Sequence, residues 1–153
     1  MDPDKLLIMS GGQTGVDRAA LDAALALGFK CGGYCPAGRQ ADDGRIPAKY
    51  PLTELPNPSP AVRTLFNVNQ SNGTLILYLN SKDLGTQNTI MFCQNIKKPY
   101  LEVNFADPTE NNEIIKWLDE NSIYRLNIAG PKEKNSPGIY AMAKDFLMRL
   151  LMA

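Results

Sequence analysis

Ser10-Gly11-Gly12-Gln13-Thr14-Gly15-Val16-Asp17-Arg18 follows the apolar run Leu6-Leu7-Ile8-Met9 and precedes an alanine-rich stretch that closes at Gly28. The order reads as strand, glycine turn, helix. Glycines let a ligand approach the main chain closely. The first turn of a helix also offers N–H groups with no intrahelical partner, at the positive end of its dipole. Phosphate or a similar anion suits such a turn. Thr14-x-x-Asp17 is equally a capping box, in which the two residues merely start a helix. Asp17 repels an anion unless Arg18 offsets it. The glycines at 11, 12 and 15 match neither G-x-x-x-x-G-K-[ST] nor G-x-G-x-x-G. Both readings of the turn therefore stay open.

Outward from the turn, Val16, Ala19, Ala20, Ala23, Ala24 and Leu27 recur at helical spacing and give a small apolar face able to lie close to a sheet. Lys30-Cys31-Gly32-Gly33-Tyr34 reads as a short strand. From Cys35 to about Pro58 periodicity is lost, with Pro36, Pro47, Pro51, Pro56 and Pro58 spread through the segment. Long irregular segments inside a compact domain are usually functional or disordered, which makes this the second place to look for a site. Asp42-Asp43-Gly44 reads as a turn in preference to a cation site, and Arg39 and Arg45 suit an anionic guest.

A helix is expected from Ser59 or Pro60 to Ser71, with Val62, Leu65, Phe66 and Asn69 along one side. Gly73 to Leu79 is a continuous apolar run, expected as a central parallel strand covered on both faces. Thr86 is the expected N-cap of a helix reaching Ile96, and Tyr100 to Val103 another strand. Asp107-Pro108 is expected to open a helix buried through Ile114, Ile115 and Leu118. Tyr124 to Ala129 forms the last strand. Ser136-Pro137-Gly138 starts the last helix, with Ile139, Met142, Ala143, Phe146, Leu147 and Leu150 as its core face. This alternation predicts an α/β sandwich with a largely parallel sheet. In such a fold the loops Gly11 to Gly15, Gly85 to Thr89 and Gly130 to Gly138 share the carboxyl edge, where unpaired amides would form an anion-binding cleft.

Composition narrows the functions. The 153 residues suit one domain, and 16 Lys+Arg against 16 Asp+Glu give no footprint for nucleic acid or a membrane surface. With no long apolar run and an acidic Met1-Asp2-Pro3-Asp4 start, a cytoplasmic protein is expected. Cys31, Cys35 and Cys93 do not read as a disulfide framework, and Cys31-x-x-x-Cys35 reads as small buried side chains, with no metal site expected. The absence of histidine excludes Ser-His-Asp and Cys-His catalysis.

Four blocks carry a resemblance: Gly11 to Asp22; Cys35-Pro36-Ala37-Gly38-Arg39 with Ala41 to Pro47; Asn72-Gly73-Thr74-Leu75-Ile76; and Asn127 to Pro131 with Ser136 to Tyr140. Together they resemble the putative molybdenum carrier family, a Rossmann-like group related to molybdenum cofactor carriers and lysine-decarboxylase-like nucleotide phosphoribohydrolases. The resemblance implies a Rossmann-like three-layer α/β/α sandwich binding molybdenum cofactor or a related nucleotide or pterin phosphate. It implies that Gly11, Gly12, Gln13, Thr14 and Gly15 hold phosphate beside Arg18, assisted by Gly85 and Thr86. Arg39, Asp43 and Arg45 would line the long loop's side, and Gly130, Pro131, Ser136 and Gly138 form the third block. The partners expected are a small anionic ligand and further copies of the chain, as a homo-oligomer. The hydrolase relatives carry a glutamate three residues after Gly-Thr, where this chain has Thr89. Binding is thus favoured over catalysis. The alternatives are a nucleotide hydrolase or transferase using Asp17, Asp42 or Asp43, and an interaction module.

Overall fold

The computed structural model describes residues 1–153. Leu7–Met9 (β1) leads through Val16–Leu27 (α1) to Lys30–Gly32 (β2). The irregular segment then holds a 3-10 turn at Ala37–Arg39 and strands of two residues each: Tyr34–Cys35 (β3), Gln40–Ala41 (β4), Gly44–Arg45 (β5) and Thr53–Glu54 (β6). Pro60–Gln70 (α2), Gly73–Tyr78 (β7), Leu84–Asn95 (α3), Tyr100–Asn104 (β8), Asn111–Glu120 (α4), Arg125–Ala129 (β9) and Ile139–Met152 (α5) follow. The main sheet has the order β2-β1-β9-β7-β8, and every pair in it is parallel. The expected Rossmann-like α/β/α architecture is therefore present. No helix is long and apolar enough to cross a membrane.

Strand side chains alternate between the two faces of the sheet. Ile8, Leu75, Leu77, Leu126 and Ile128 share a core with Ala19, Ala20 and Ala23 of α1, Ile114 and Leu118 of α4, and Ile139, Ala143 and Leu147 of α5. Met9, Thr74, Ile76 and Asn127 alternate to the other face, the side of α2 and α3, and are also buried. That face contains polar groups: Asn127 Nδ2 donates to Thr74 Oγ1 at 3.3 Å. The chain thus leaves β1 through a helix on one face and β7 through a helix on the other.

The structure corrects several local expectations. The strand expected over Lys30 to Tyr34 breaks, because Gly33 stands at φ 124 with its α-carbon against the Ser10 backbone, where a side chain has no room. Beyond it, β3 pairs with β6 instead of the main sheet. β7 is flanked on both sides as expected, but β9 takes the middle place. In α2 the buried residues are Arg63, Asn67 and Val68, while Leu65 and Phe66 are exposed, so the apolar stripe read from sequence faces outward. The N-cap of α3 is Asp83 and not Thr86, α4 begins only at Asn111, and Met142 of α5 is exposed. Thr14 and Asp17 form no capping box, since α1 is capped by Gly15 without a side-chain bond.

Candidate ligand-binding cleft

A cleft of about 430 Å³ opens at the carboxyl edge of the sheet, within the range usual for small-molecule sites. Its walls come from the glycine turn (Gly11, Gln13, Asp17), from α2 (Arg63, Thr64, Asn67), from the start of α3 (Asp83, Gly85, Asn88, Thr89) and from the end of β9 onward (Asn127, Gly130, Lys132, Asn135). The tip of the long loop adds Asp42. Far-apart segments thus meet where ligands bind in parallel α/β sheets.

Each wall is held by identifiable bonds. Arg63 is buried and donates from Nη1 to the Gly11 carbonyl at 2.8 Å, with Asp17 Oδ2 3.8 Å away. A Cβ on Gly11 would stand 2.5 Å from the Arg63 side chain, so the glycine is needed for this approach. Arg18 is also buried. Its Nε and Nη2 donate to the Gly12 carbonyl at 3.1 and 3.0 Å, and its Nη1 and Nη2 grip Asp43 at 2.9 and 3.1 Å. Gln13 accepts from the amides of Thr14 and Asp42 at 2.8 and 2.9 Å, fastening the long loop to the turn. Asp83 Oδ1 accepts from the Thr86 amide and hydroxyl, and Oδ2 accepts from Asn135 Nδ2 at 3.0 Å, which ties α3 to the segment after β9.

The residues read from sequence fall into three groups. Gly11, Gln13, Gly85 and Gly130 line the cleft. Gly12, Thr14, Gly15, Arg18, Thr86 and Pro131 stand behind them, and several expected anion donors there are already engaged. The Gly12 amide bonds Ser10 Oγ, the Val16 amide bonds the Pro131 carbonyl, and the Thr86 amide bonds Asp83. Thr14 Oγ1 is buried without a partner. The third group does not reach the lining. Arg39 donates to the carbonyls of Ile46, Pro47, Leu52 and Tyr50, bracing the long loop, and Arg45 donates to Gly38. Asp43 is paired with Arg18. Ser136 and Gly138 lie at the start of α5, where the Glu133 carboxylate takes the Gly138 and Tyr140 amides. The Asp42-Asp43 turn joins β4 to β5, as the turn reading expected.

Asn88, Lys132 and Asn135 lie in loops expected at the cleft but were not singled out, whereas Arg63 and Asp83 were not anticipated there. Arg63 is buried in α2, whereas the apolar Leu65 and Phe66 of the same helix are exposed. The charges are mixed, with Arg63 and Lys132 among Asp17, Asp42 and Asp83. Burial pushes the Asp17 carboxyl up to about 6, against the pull of Arg63. Burial also raises Asp83, but hydrogen bonds from Thr86 and Asn135 outweigh it and leave this carboxyl below its ordinary value.

Fold and cleft together define a Rossmann-like α/β/α protein with a polar pocket at the carboxyl edge. The model of the circularly permutated YpsA SLOG family matches residues 8–151. A putative molybdenum carrier protein from Syntrophus aciditrophicus SB, solved by crystallography at 1.45 Å resolution, is 38% identical. The alignment covers 97% of this chain and 96% of that one, with a TM-score of 0.91. No curated protein matches. The chain belongs to the circularly permutated YpsA SLOG family, among the putative molybdenum carrier proteins that its sequence resembles.

Proposed function

We propose that the cleft binds a small polar heterocycle bearing a phosphate, of the nucleotide or pterin class, and that the chain carries such a ligand, molybdenum cofactor included. The supporting observation is the convergence of Arg63, Lys132, Asn88 and the start of α3 around one cavity with three carboxylates. The cations suit the phosphate. The carboxylates and carboxamides suit the ring N–H groups and hydroxyls of the rest. This donor set fits a cofactor better than a bare metal. The lining contains no cysteine and the chain no histidine, so a soft metal would be held by the ligand's own atoms and travel as cargo. Such a carrier would work in the cytoplasm, in keeping with the free thiols of Cys31, Cys35 and Cys93.

The test is native mass spectrometry with elemental analysis of freshly purified protein, followed by thermal melting with a purine nucleoside monophosphate and with a pterin phosphate. A bound small molecule, or a rise in melting temperature with either compound, supports the reading. An empty protein that neither compound stabilises contradicts it.

One observation favours a nucleotide hydrolase or transferase as the second reading. Of the three aspartates that were candidates for acid or base, Asp17 lines the cleft with its pKa raised toward neutrality. Release of base from a nucleotide, abolished by Asp17→Asn in a folded variant, would establish that reading.

A further inference from the structure

Three carboxylates line the cleft, and the protein satisfies two of them. Asp83 accepts hydrogen bonds from Thr86 and Asn135, and Asp42 pairs with Lys132 Nζ at 3.2 Å. Asp17 is different. Its side chain is 14% exposed, no side chain donates a hydrogen bond to it, and Arg63 Nη1 stays 3.8 Å away, beyond hydrogen-bond reach. The Gln13 amide and the Arg63 charge assist the carboxylate, and burial outweighs both. Asn127, near the end of β9, repeats the pattern. It is 2% exposed, its Nδ2 is spent on Thr74 Oγ1 at 3.3 Å, and its Oδ1 accepts nothing from the protein. Buried acceptors are normally hydrogen-bonded. Two unfilled acceptors in one lining therefore point to a ligand that brings donors.

We propose that Asp17 and Asn127 read the edge of a 2-amino-4-oxo pyrimidine ring, the group that guanine and pterin share and adenine lacks. This rests on the cleft being the ligand site and names what that site selects. An ionised carboxylate offers two acceptor oxygens and no donor. The shared ring sets an N–H beside an exocyclic amine and so offers the matching pair, with Asn127 Oδ1 as a further acceptor. Adenine sets a bare ring nitrogen beside its amine, and that lone pair would meet the carboxylate. Depth assigns these groups to the ring and not to the ribose. Phosphate is costly to bury and finds Lys132, one-third exposed, at the edge of the cleft, whereas Asp17 and Asn127 belong to the buried part of the lining.

Calorimetric titration of the full chain at about pH 8, where Asp17 is ionised, tests this with guanosine, inosine, xanthosine and adenosine monophosphates and with a pterin monophosphate. The guanosine or the pterin compound is expected to bind about tenfold or more tightly than inosine or adenosine monophosphate, because a site built for a donor is left unpaired by an analogue that lacks it. Which of the two binds identifies the source of the ring. Asp17→Asn, checked as folded by circular dichroism, is expected to lose about tenfold or more for the preferred compound. It is expected to gain affinity for the 2-oxo counterpart, xanthosine monophosphate or the matching lumazine phosphate, whose carbonyl accepts from the new amide. Equal binding of adenosine and guanosine monophosphates, with the pterin compound no tighter, overturns the proposal and leaves the cleft as a ligand site. A variant that keeps the wild-type preference overturns it too, and so does one that weakens every compound alike, which would place Asp17 on the ribose. If no compound binds, both this proposal and the reading of the cleft fail.

Discussion

Lys132 Nζ lies 3.2 Å from Asp42 Oδ2, joining the segment after β9 to the tip of the long loop at the edge of the cleft. Both side chains are about one-third exposed, and pairs of this kind add only ~0–1 kcal/mol to stability. Lys132→Met should therefore shift the melting temperature by no more than a few degrees. If Lys132 turns from Asp42 to a ligand phosphate, the same substitution removes a charge-assisted hydrogen bond and should weaken nucleotide or pterin phosphate binding about tenfold or more. Calorimetric titration beside a melting curve separates the two effects.

Arg18 and Asp43 form the opposite case, in which the cation stabilises the fold. Arg18→Met leaves the buried Gly12 carbonyl without its two donors and releases the β4–β5 turn. A loss of about 2–3 kcal/mol is expected, dominated by the unsatisfied carbonyl. Asp43→Asn keeps the Gly12 bonds and an acceptor for Arg18, and its side chain is half exposed, so a loss of less than about 1 kcal/mol is expected. Urea denaturation of both variants checks the order, and equal losses would mean that the Gly12 contact contributes little.

Asp17 sets a pH dependence with a definite sign. Its carboxyl is raised from 3.8 to about 6 in the folded protein. Below the lower value both folded and unfolded states are protonated and Asp17 imposes no penalty. As pH rises through the window between the two values the unfolded state ionises first, so this group progressively favours unfolding, and its full cost is reached above about pH 6. The side chain is only 14% exposed, so the shift corresponds to about 3 kcal/mol. Asp17→Asn should therefore gain stability relative to the wild type as pH is raised from about 4 to about 7. Denaturation series at several pH values measure this. A difference that stays flat with pH would show that Arg63 fully compensates the buried charge.

Asp83 acts with the reverse sign. Its folded pKa is depressed, so its hydrogen bonds to Thr86 and Asn135 stabilise the protein above the ordinary carboxylate value and are lost as pH falls through the depressed one. Asp83→Ala removes the cap of α3 and its tie to Asn135. A cost of about 1–2 kcal/mol near neutral pH is expected, shrinking toward acid.

The parts legible in the sequence were those governed by local periodicity. The small face of α1, the apolar run of β7 and the stripe of α5 gave the layers, and the glycine turn gave the edge at which a pocket forms. The site's chemistry depended on contacts between distant segments, which no local pattern encodes. Arg39 looked like a ligand group because arginines in irregular segments often are, yet it serves the carbonyls of a loop that has little regular structure to satisfy them. Arg63 drew no notice in the sequence and became a wall, because α2 turns Leu65 and Phe66 outward and Arg63 toward the Gly11 carbonyl. Thr86 carried the composition of a cap, but Asp83, three residues earlier, accepts the bond that a cap residue must accept. The expected anion donors were legible as residues, whereas their existing partners Ser10, Asp83 and the Pro131 carbonyl came only with the fold.

The cleft beside α3 is the proposed ligand site, and Gly85 gives the cleanest access to it. Gly85 is exposed in the first turn of α3, and a Cβ there would meet nothing nearer than Asp83 Oδ1 at 4.0 Å. A larger side chain therefore fits the fold, gains about 0.5–1 kcal/mol of helix propensity and projects into the space a ligand would occupy. Calorimetric titration of Gly85→Leu with a purine nucleoside monophosphate and a pterin phosphate is the decisive measurement. A variant that melts at or above the wild-type temperature and has lost at least nine-tenths of its affinity is predicted. A well-folded Gly85→Leu that binds as tightly as the wild type would mean that the ligand does not occupy the cleft beside α3.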